Sequence, residues 1–165
     1  MPAHRAPVDA ARALALAVPV ALMAGALGSQ YLGGLYPCEM CHWQRWPHYL
    51  AIVLAAVAFV PQAPQRQLVA LAALAIAASG AIGVFHAGVE YGWWQGITGC
   101  TSTVGATSGS TQDLLKEIMA APLVRCDQPQ WTLWGVSLAG FNALFSLAAA
   151  LAITVLLVRQ ERLQP

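Results

Sequence analysis

Charged side chains are scarce in this chain. Asp, Glu, Lys and Arg together make up 9% of its 165 residues, whereas hydrophobic residues make up 58%. A soluble domain of that composition would have too few polar residues to cover its surface. The formal net charge is only +1, so there is no basic patch to neutralise phosphates, and we expect no nucleic-acid partner. The composition therefore indicates a protein of the lipid bilayer.

Motifs for tightly bound redox cofactors are also missing. The sequence has no haem motif, no dinucleotide-binding fingerprint, no flavin signature and no carboxylate cluster that predicts a metal site. Cysteine is limited to four residues, at positions 38, 41, 100 and 126. Redox chemistry in this chain would have to use these cysteines and an electron acceptor that it does not carry itself.

Four apolar runs are long enough to cross roughly 30 Å of hydrocarbon as helices. Their predicted bounds are about 13–32, 41–60, 67–87 and 131–158. The second reaches this length only if it extends back to Cys41, which places Cys41, Arg45 and His48 on one helix face. The first run also resembles a cleavable signal peptide, but its apolar stretch is too long for one, so we keep it as a helix.

These runs predict an all-α membrane protein, a four-transmembrane-helix bundle forming a single domain over residues 1–165. The predicted outer loops are about 33–40 and 88–130. In the second loop, a Gly, Ser and Thr stretch precedes Gln112–Ala120, whose apolar and charged residues occupy opposite faces. That pattern predicts a short amphipathic helix on the membrane surface.

Lys and Arg are denser per residue on one side of the predicted bundle. That side carries the arginines of the two terminal tails and of the short connection between the second and third helices: Arg5, Arg12, Arg66, Arg159 and Arg162. The opposite side has Arg45, Lys116 and Arg125, spread over longer loops. The bias predicts cytoplasmic termini. All four cysteines would then face outside, where disulfides persist.

The cysteine spacing indicates thiol–disulfide exchange. Cys38 and Cys41 form a Cys-x-x-Cys pair at the mouth of the second helix, and Arg45 follows one turn later. A helix N-terminus and a nearby cation both lower a thiol pKa, which favours exchange. Two alternatives remain: a zinc site made by all four cysteines, or a Cys100–Cys126 disulfide that merely staples the long loop. The Gly, Ser and Thr residues of that loop permit it to move, which favours two disulfides that approach each other and act as a relay.

A relay needs an electron acceptor, and the one left by elimination is soluble in the bilayer. This suggests a quinone near Cys41, with Arg45 stabilising the charge that develops on a quinone oxygen. His86 and Glu90, one turn apart at the outer end of the third helix, are candidates to complete the pocket. Of these two, only His86 enters the predicted site. The alternatives without a catalytic role are that Arg45 extends to lipid headgroups and that His86 is a packing residue at a helix end.

Four segments together resemble the disulfide bond formation protein B (DsbB) family over nearly the whole chain. They are Cys38-Glu39-Met40-Cys41-His42-Trp43-Gln44-Arg45, the loop cysteines Cys100 and Cys126, Phe85-His86-Ala87-Gly88-Val89-Glu90, and residues 134–142 with the sequence WGVSLAGFN. The resemblance implies a bacterial inner-membrane enzyme with four helices. Such an enzyme reoxidises a soluble periplasmic thiol oxidase of the DsbA type and passes the electrons to ubiquinone or menaquinone.

The resemblance also implies a role for each cysteine. The partner's thiolate would attack Cys100, Cys126 would then attack the Cys38–Cys41 disulfide, and Cys41 would face the quinone beside Arg45. His86 matches the quinone-side histidine of the family. Two other interpretations remain. One is a vitamin K epoxide reductase-like enzyme, although its Cys-x-x-Cys lies late in the chain. The other is a non-enzymatic tetraspan protein with structural disulfides.

Overall fold

The computed structural model describes residues 6–98, 101–102, 110, 112 and 123–162. Within these ranges the fold is a bundle of four long helices: α1 (Ala6–Tyr31), α2 (Glu39–Val57), α3 (Gln65–Glu90) and α4 (Leu138–Arg162). Three described segments are long and apolar enough to cross a membrane, namely Val8–Tyr31, Gln65–Glu90 and Leu138–Glu161. The prediction of an all-α membrane protein is confirmed.

Helix α2 is the shortest of the four helices. Its 19 residues span about 28 Å at the usual rise per residue, close to the thickness of the hydrocarbon core. It begins at Glu39, two residues before the predicted start, because Cys38 caps its N-terminus. It ends at Val57, three residues earlier than predicted, and Pro47 lies inside it without ending it.

Small residues form the contacts between the helices, so the backbones approach closely. The buried core is made mainly of alanines from all four helices, together with Val69, Ile76, Ile153 and Leu157. At the contact of α3 and α4, a Cβ added to Gly80 would lie 2.9 Å from Leu147 Cγ, and one added to Gly83 would lie 3.1 Å from the Ala139 carbonyl oxygen. Larger side chains at these glycines would push α3 and α4 apart.

A β-hairpin replaces the first turns of the predicted fourth helix. Strand β3 (Thr132–Leu133) pairs antiparallel with β4 (Val136–Ser137), and Trp134 and Gly135 both have positive φ in the turn. Helix α4 therefore begins at Leu138, seven residues after the predicted start at Trp131. The Ser137 hydroxyl caps it by accepting from the Gly140 N–H at 3.1 Å.

The second outer loop is described only in part. Strand β1 (Thr101–Ser102) pairs antiparallel with β2 (Leu123–Val124), with Thr101 opposite Val124. This pairing holds together the chain that follows position 100 and the chain that precedes Cys126. Cys100 and all but the first residue of the predicted amphipathic helix, Gln112–Ala120, lie outside the described residues.

Candidate active site

The Cys-x-x-Cys pair lies at the start of α2. The Cys38 sulfur accepts a hydrogen bond from the Cys41 backbone N–H at 3.2 Å, and the Cys38 thiol donates to the Cys41 sulfur at 2.9 Å. Cys38 is buried, whereas Cys41 is partly exposed. The hydrogen bond to Cys41, together with burial, raises the pKa of the Cys38 thiol above its ordinary value. In the reduced pair, Cys41 is therefore the sulfur suited to carry the negative charge.

Cys126 packs against Cys38 from the second outer loop. The sulfurs of Cys38 and Cys126 and the Nε2 atom of His86 all lie within 4.8 Å of one another. Cys38, Cys41 and Cys126 are free thiols. A small movement would therefore bring the sulfur of Cys126 into bonding distance of that of Cys38.

Contacts outside the cysteines hold the second outer loop in this position. Gln130 Nε2 donates to the Tyr36 carbonyl oxygen at 2.6 Å, which ties the two outer loops together. Next to Cys126, Arg125 Nε donates to Asp127 Oδ1 at 2.8 Å. This hydrogen bond from Arg125 lowers the pKa of the exposed Asp127 carboxyl. The Gln130 contact thus ties the segment that carries Cys126 to the first outer loop.

His86 joins the cysteines to a buried polar network. Gln44 Nε2 donates to the Met40 carbonyl oxygen at 3.2 Å and contacts His86 Nδ1 at 2.7 Å. Because a carbonyl oxygen only accepts, the Gln44 amide orientation is fixed, and Nδ1 of a neutral His86 is the acceptor. The ring proton then lies on Nε2, 3.5 Å from the Cys38 sulfur. His86 therefore directs this N–H toward the Cys38 sulfur.

Asn142 continues the network into the bundle. Its Nδ2 donates to the Ser79 carbonyl oxygen at 3.2 Å and to Gln44 Oε1 at 2.8 Å. These two acceptors fix the amide, so Asn142 Oδ1 faces His48 Nε2 as an acceptor at 2.8 Å. Three helices thus contribute to one hydrogen-bonded chain that runs from Cys38 through His86, Gln44 and Asn142 to His48.

Arg45 extends from α2 to the C-terminal part of α1. Its Nη1 donates to Gln30 Oε1 at 2.6 Å, and its Nη2 donates to the Ala26 carbonyl oxygen at 3.2 Å. The guanidinium is therefore held by protein atoms and does not extend freely to lipid headgroups. Its fixed position keeps a positive charge one helical turn from Cys41.

A cavity of about 220 Å³ opens beside these residues, between α1, α2 and α4. Among the described residues, the predicted site residues Cys38, Cys41, Arg45 and His86 line it, and Cys126 does not. Further polar side chains in the lining are Gln44, His48, Glu90 and Asn142. An apolar cavity of roughly 150 Å³ holds a benzene ring. The space beside Cys41 therefore fits one substituted aromatic or quinone ring.

Two buried polar atoms on the cavity wall have no hydrogen-bond partner among the described residues: His48 Nδ1 and Glu90 Oε2. The other oxygen of Glu90, Oε1, lies 3.7 Å from His86 Nε2. Buried polar atoms are rarely left unsatisfied. An occupant of the cavity with polar groups of its own would supply partners for them.

The same geometry argues against a metal ion at this place. Cys38, His86 and Cys126 are close enough to be three ligands, but a metal needs the lone pair of His86 Nε2. The Gln44 hydrogen bond leaves the proton on that nitrogen. Metal binding would therefore require the polar network to rearrange. The predicted zinc alternative also needs Cys100, which lies outside the described residues.

The sequence missed the residues that connect the site. Gln44, Ser79 and Ser146 were given no role, and Asn142 was noted without a role, as a polar residue in the fourth apolar run and as part of a segment that resembles the DsbB family. A polar side chain at such a depth is costly and often functional. Which residue it contacts depends on how α2, α3 and α4 pack, and spacing along one helix does not show this.

Comparisons with known proteins agree with this architecture. The family model described as "Disulfide bond formation protein DsbB" matches residues 9–156. A protein of Rickettsia prowazekii (strain Madrid E), named "Uncharacterized protein RP370", is 21% identical over 143 residues, which cover 86% of this chain and 83% of the relative. No solved structure matches. Because the family model covers most of the chain, this multi-pass membrane protein belongs to the DsbB family of disulfide bond formation proteins.

Proposed function

We propose that this protein reoxidises a soluble periplasmic thiol oxidase of the DsbA type and passes the electrons to a membrane quinone, ubiquinone or menaquinone. The observation that supports the proposal best is the contact between the loops: the sulfur of Cys126 lies within 4.8 Å of that of Cys38. Cys41, which accepts a hydrogen bond from Cys38, lines the adjacent cavity with Arg45. Thiols and an acceptor would meet at one place.

The proposed exchange begins at the second outer loop. A partner thiolate attacks Cys100 in a Cys100–Cys126 disulfide, which forms a mixed disulfide and releases the Cys126 thiolate. The partner's second thiolate then completes its own disulfide and frees Cys100. Each attack breaks one S–S bond and forms another, so two electrons have moved from the partner into this chain.

The second stage uses the contact seen in the structure. The Cys126 thiolate attacks Cys38, forms a Cys38–Cys126 bond and releases Cys41 as thiolate beside Arg45. Cys100 then attacks Cys126, and the proton on His86 Nε2, 3.5 Å from Cys38, stabilises the thiolate that leaves. A quinone held by Arg45, His86 and the cavity wall would accept the two electrons and two protons released when Cys38–Cys41 forms again.

An assay with purified components tests the function. Full-length protein is mixed with a reduced DsbA-type oxidase and a soluble quinone, and quinone absorbance and partner thiols are followed together. We expect one quinone to be consumed for each partner dithiol oxidised. A non-enzymatic tetraspan protein would consume no quinone, and its disulfides would resist mild dithiol reagents.

We also propose that the protein lies in the bacterial inner membrane, with cytoplasmic termini and periplasmic cysteine loops. At the end of the bundle opposite the cysteines, Arg12 donates to the Ala58 carbonyl oxygen, and Arg66 pairs with Glu161. This arginine-rich end fits the cytoplasmic side. A membrane-impermeant thiol reagent should label the cysteines in intact cells after reduction. Protection of the cysteines, with external cleavage of a terminal tag, would contradict this orientation.

Arg45→Met should weaken quinone use while leaving exchange with the partner intact. The change removes a charge from the cavity wall and two hydrogen bonds that hold it there. A hydrogen bond between the charged Arg45 and the quinone would contribute about 1.5–3 kcal/mol. We therefore expect its loss to lower kcat/KM for quinone roughly tenfold to a hundredfold. Quinone titrations at saturating partner measure this. Arg45→Lys, which keeps the charge, should recover part of the loss, and unchanged quinone kinetics in Arg45→Met would remove Arg45 from the site.

A further inference from the structure

His48 is a buried cavity residue to which the proposed exchange gives no role. It lies two turns after Cys41 on α2, is 3% exposed and lines the cavity. The cavity wall near it also includes Asn142 and Gln44. His48 is thus at the deeper end of the space whose outer end carries the cysteines.

The hydrogen bonds around His48 Nε2 determine its tautomer. Asn142 Oδ1 is an acceptor at 2.8 Å, because its amide is oriented by the Ser79 carbonyl oxygen. The two nearby hydroxyls use their protons elsewhere: Ser79 Oγ donates to the Gln44 carbonyl oxygen and Ser146 Oγ donates to Asn142 Oδ1. Every neighbour of Nε2 is therefore an acceptor, so Nε2 carries the proton of the neutral ring.

The opposite nitrogen of the same ring is left with a bare lone pair. His48 Nδ1 is buried and has no hydrogen-bond partner among the residues that the structure describes. Leaving such an acceptor unsatisfied is costly, and the wall position suggests that its partner is the occupant of the cavity. The partner must be a donor, because this nitrogen has no hydrogen of its own.

We propose that His48 is a positioning residue whose Nδ1 accepts a hydrogen bond from a hydroxyl of the reduced quinone. The inference rests on the proposed function and deepens it. An oxidised quinone has two carbonyl oxygens and no hydrogen to donate, whereas the hydroquinone formed with the two electrons and two protons of the thiols has two hydroxyls. His48 would therefore bind the product form selectively and favour oxidation of Cys38 and Cys41.

Binding measurements separate this role from a structural one. Full-length protein in detergent, carrying Cys41→Ser so that no electrons pass, is titrated with short-chain ubiquinone and separately with its hydroquinone. His48→Gln places an amide near the Nε2 position and keeps a donor for Asn142, but it removes the Nδ1 acceptor. We expect roughly fivefold weaker hydroquinone binding with unchanged quinone binding. His48→Asn, whose amide oxygen lies near the Nδ1 position, should retain the preference for hydroquinone.

The outcomes distinguish the two proposals. If the parent protein binds neither form saturably, the quinone step of the proposed function fails. If the parent binds both forms and His48→Gln changes both affinities equally or not at all, the role of His48 is overturned while the proposed function stands. If His48→Gln does not fold, the ¹⁵N resonance of His48 Nδ1 is followed in protein that keeps His48. That resonance should shift when hydroquinone is added and should not shift when quinone is added. The absence of that selective shift would also overturn the proposal.

Discussion

Replacing Cys126 by Ser is expected to lower quinone-dependent turnover by at least roughly a thousandfold, as removal of an essential nucleophile does elsewhere, while the protein stays folded. Cys126 is the sulfur that reaches Cys38 from the second outer loop. Without it, Cys100 remains as a lone thiol that can bond to an oxidised partner but cannot transfer electrons onward. The measurement is turnover with reduced partner and quinone, in protein checked by helical content and melting curve.

The same variant separates a relay from a loop staple. A structural Cys100–Cys126 disulfide would contribute about 3.5 kcal/mol of stability by the chain-entropy estimate, and activity would fall only as the protein unfolds. Asp127→Ser is a matched control, because it changes the exposed neighbour of Cys126 and removes a surface contact with Arg125. It should retain turnover. Substantial turnover in folded Cys126→Ser would leave Cys100–Cys126 as a clamp and refute the relay.

The sequence was most informative where the signal is local. Apolar runs gave the helices, since crossing the hydrocarbon core requires a minimum number of consecutive apolar residues. The start of α4 was predicted too early, because the run from Trp131 is apolar enough for a helix. The turn at Trp134 and Gly135, with positive φ at both residues, breaks it. Gly135 was the available signal for that turn.

In the candidate site, too, the sequence predicted the local features and missed the contacts between distant segments. The spacing of Cys38, Cys41 and Arg45 on one chain segment indicated thiol chemistry directly. The contact of Cys126 with Cys38, and the chain from His86 to His48, depend on segments that are far apart in the sequence. No periodicity predicts that Gln44 and Asn142 hydrogen bond, because this depends on the packing of α2 against α4. Tertiary geometry therefore decided which polar residues belong to the site.

Replacing Cys41 by Ser should abolish quinone reduction and trap a disulfide between Cys38 and Cys126. With Cys41 gone, Cys38 has no partner on α2, and its thiolate can attack Cys126 in the loop disulfide and release Cys100. The sulfurs of Cys38 and Cys126 are already within 4.8 Å of each other. Alkylation of free thiols, digestion without reductant and mass spectrometry should find the peptides of these two cysteines linked.

Cys38→Ser is the matched control for this cross-link. It leaves Cys41 as the lone thiol of the pair, and Cys38, not Cys41, belongs to the group in which the sulfurs of Cys38 and Cys126 and the Nε2 atom of His86 all lie within 4.8 Å of one another. Both variants lack the Cys38–Cys41 disulfide and should be equally inactive with quinone, yet only Cys41→Ser should yield the linked peptides. Equal linkage of Cys41 and Cys38 to Cys126 would mean that the loop does not select a sulfur. The order of attack derived from the packing of Cys126 against Cys38 would then be wrong.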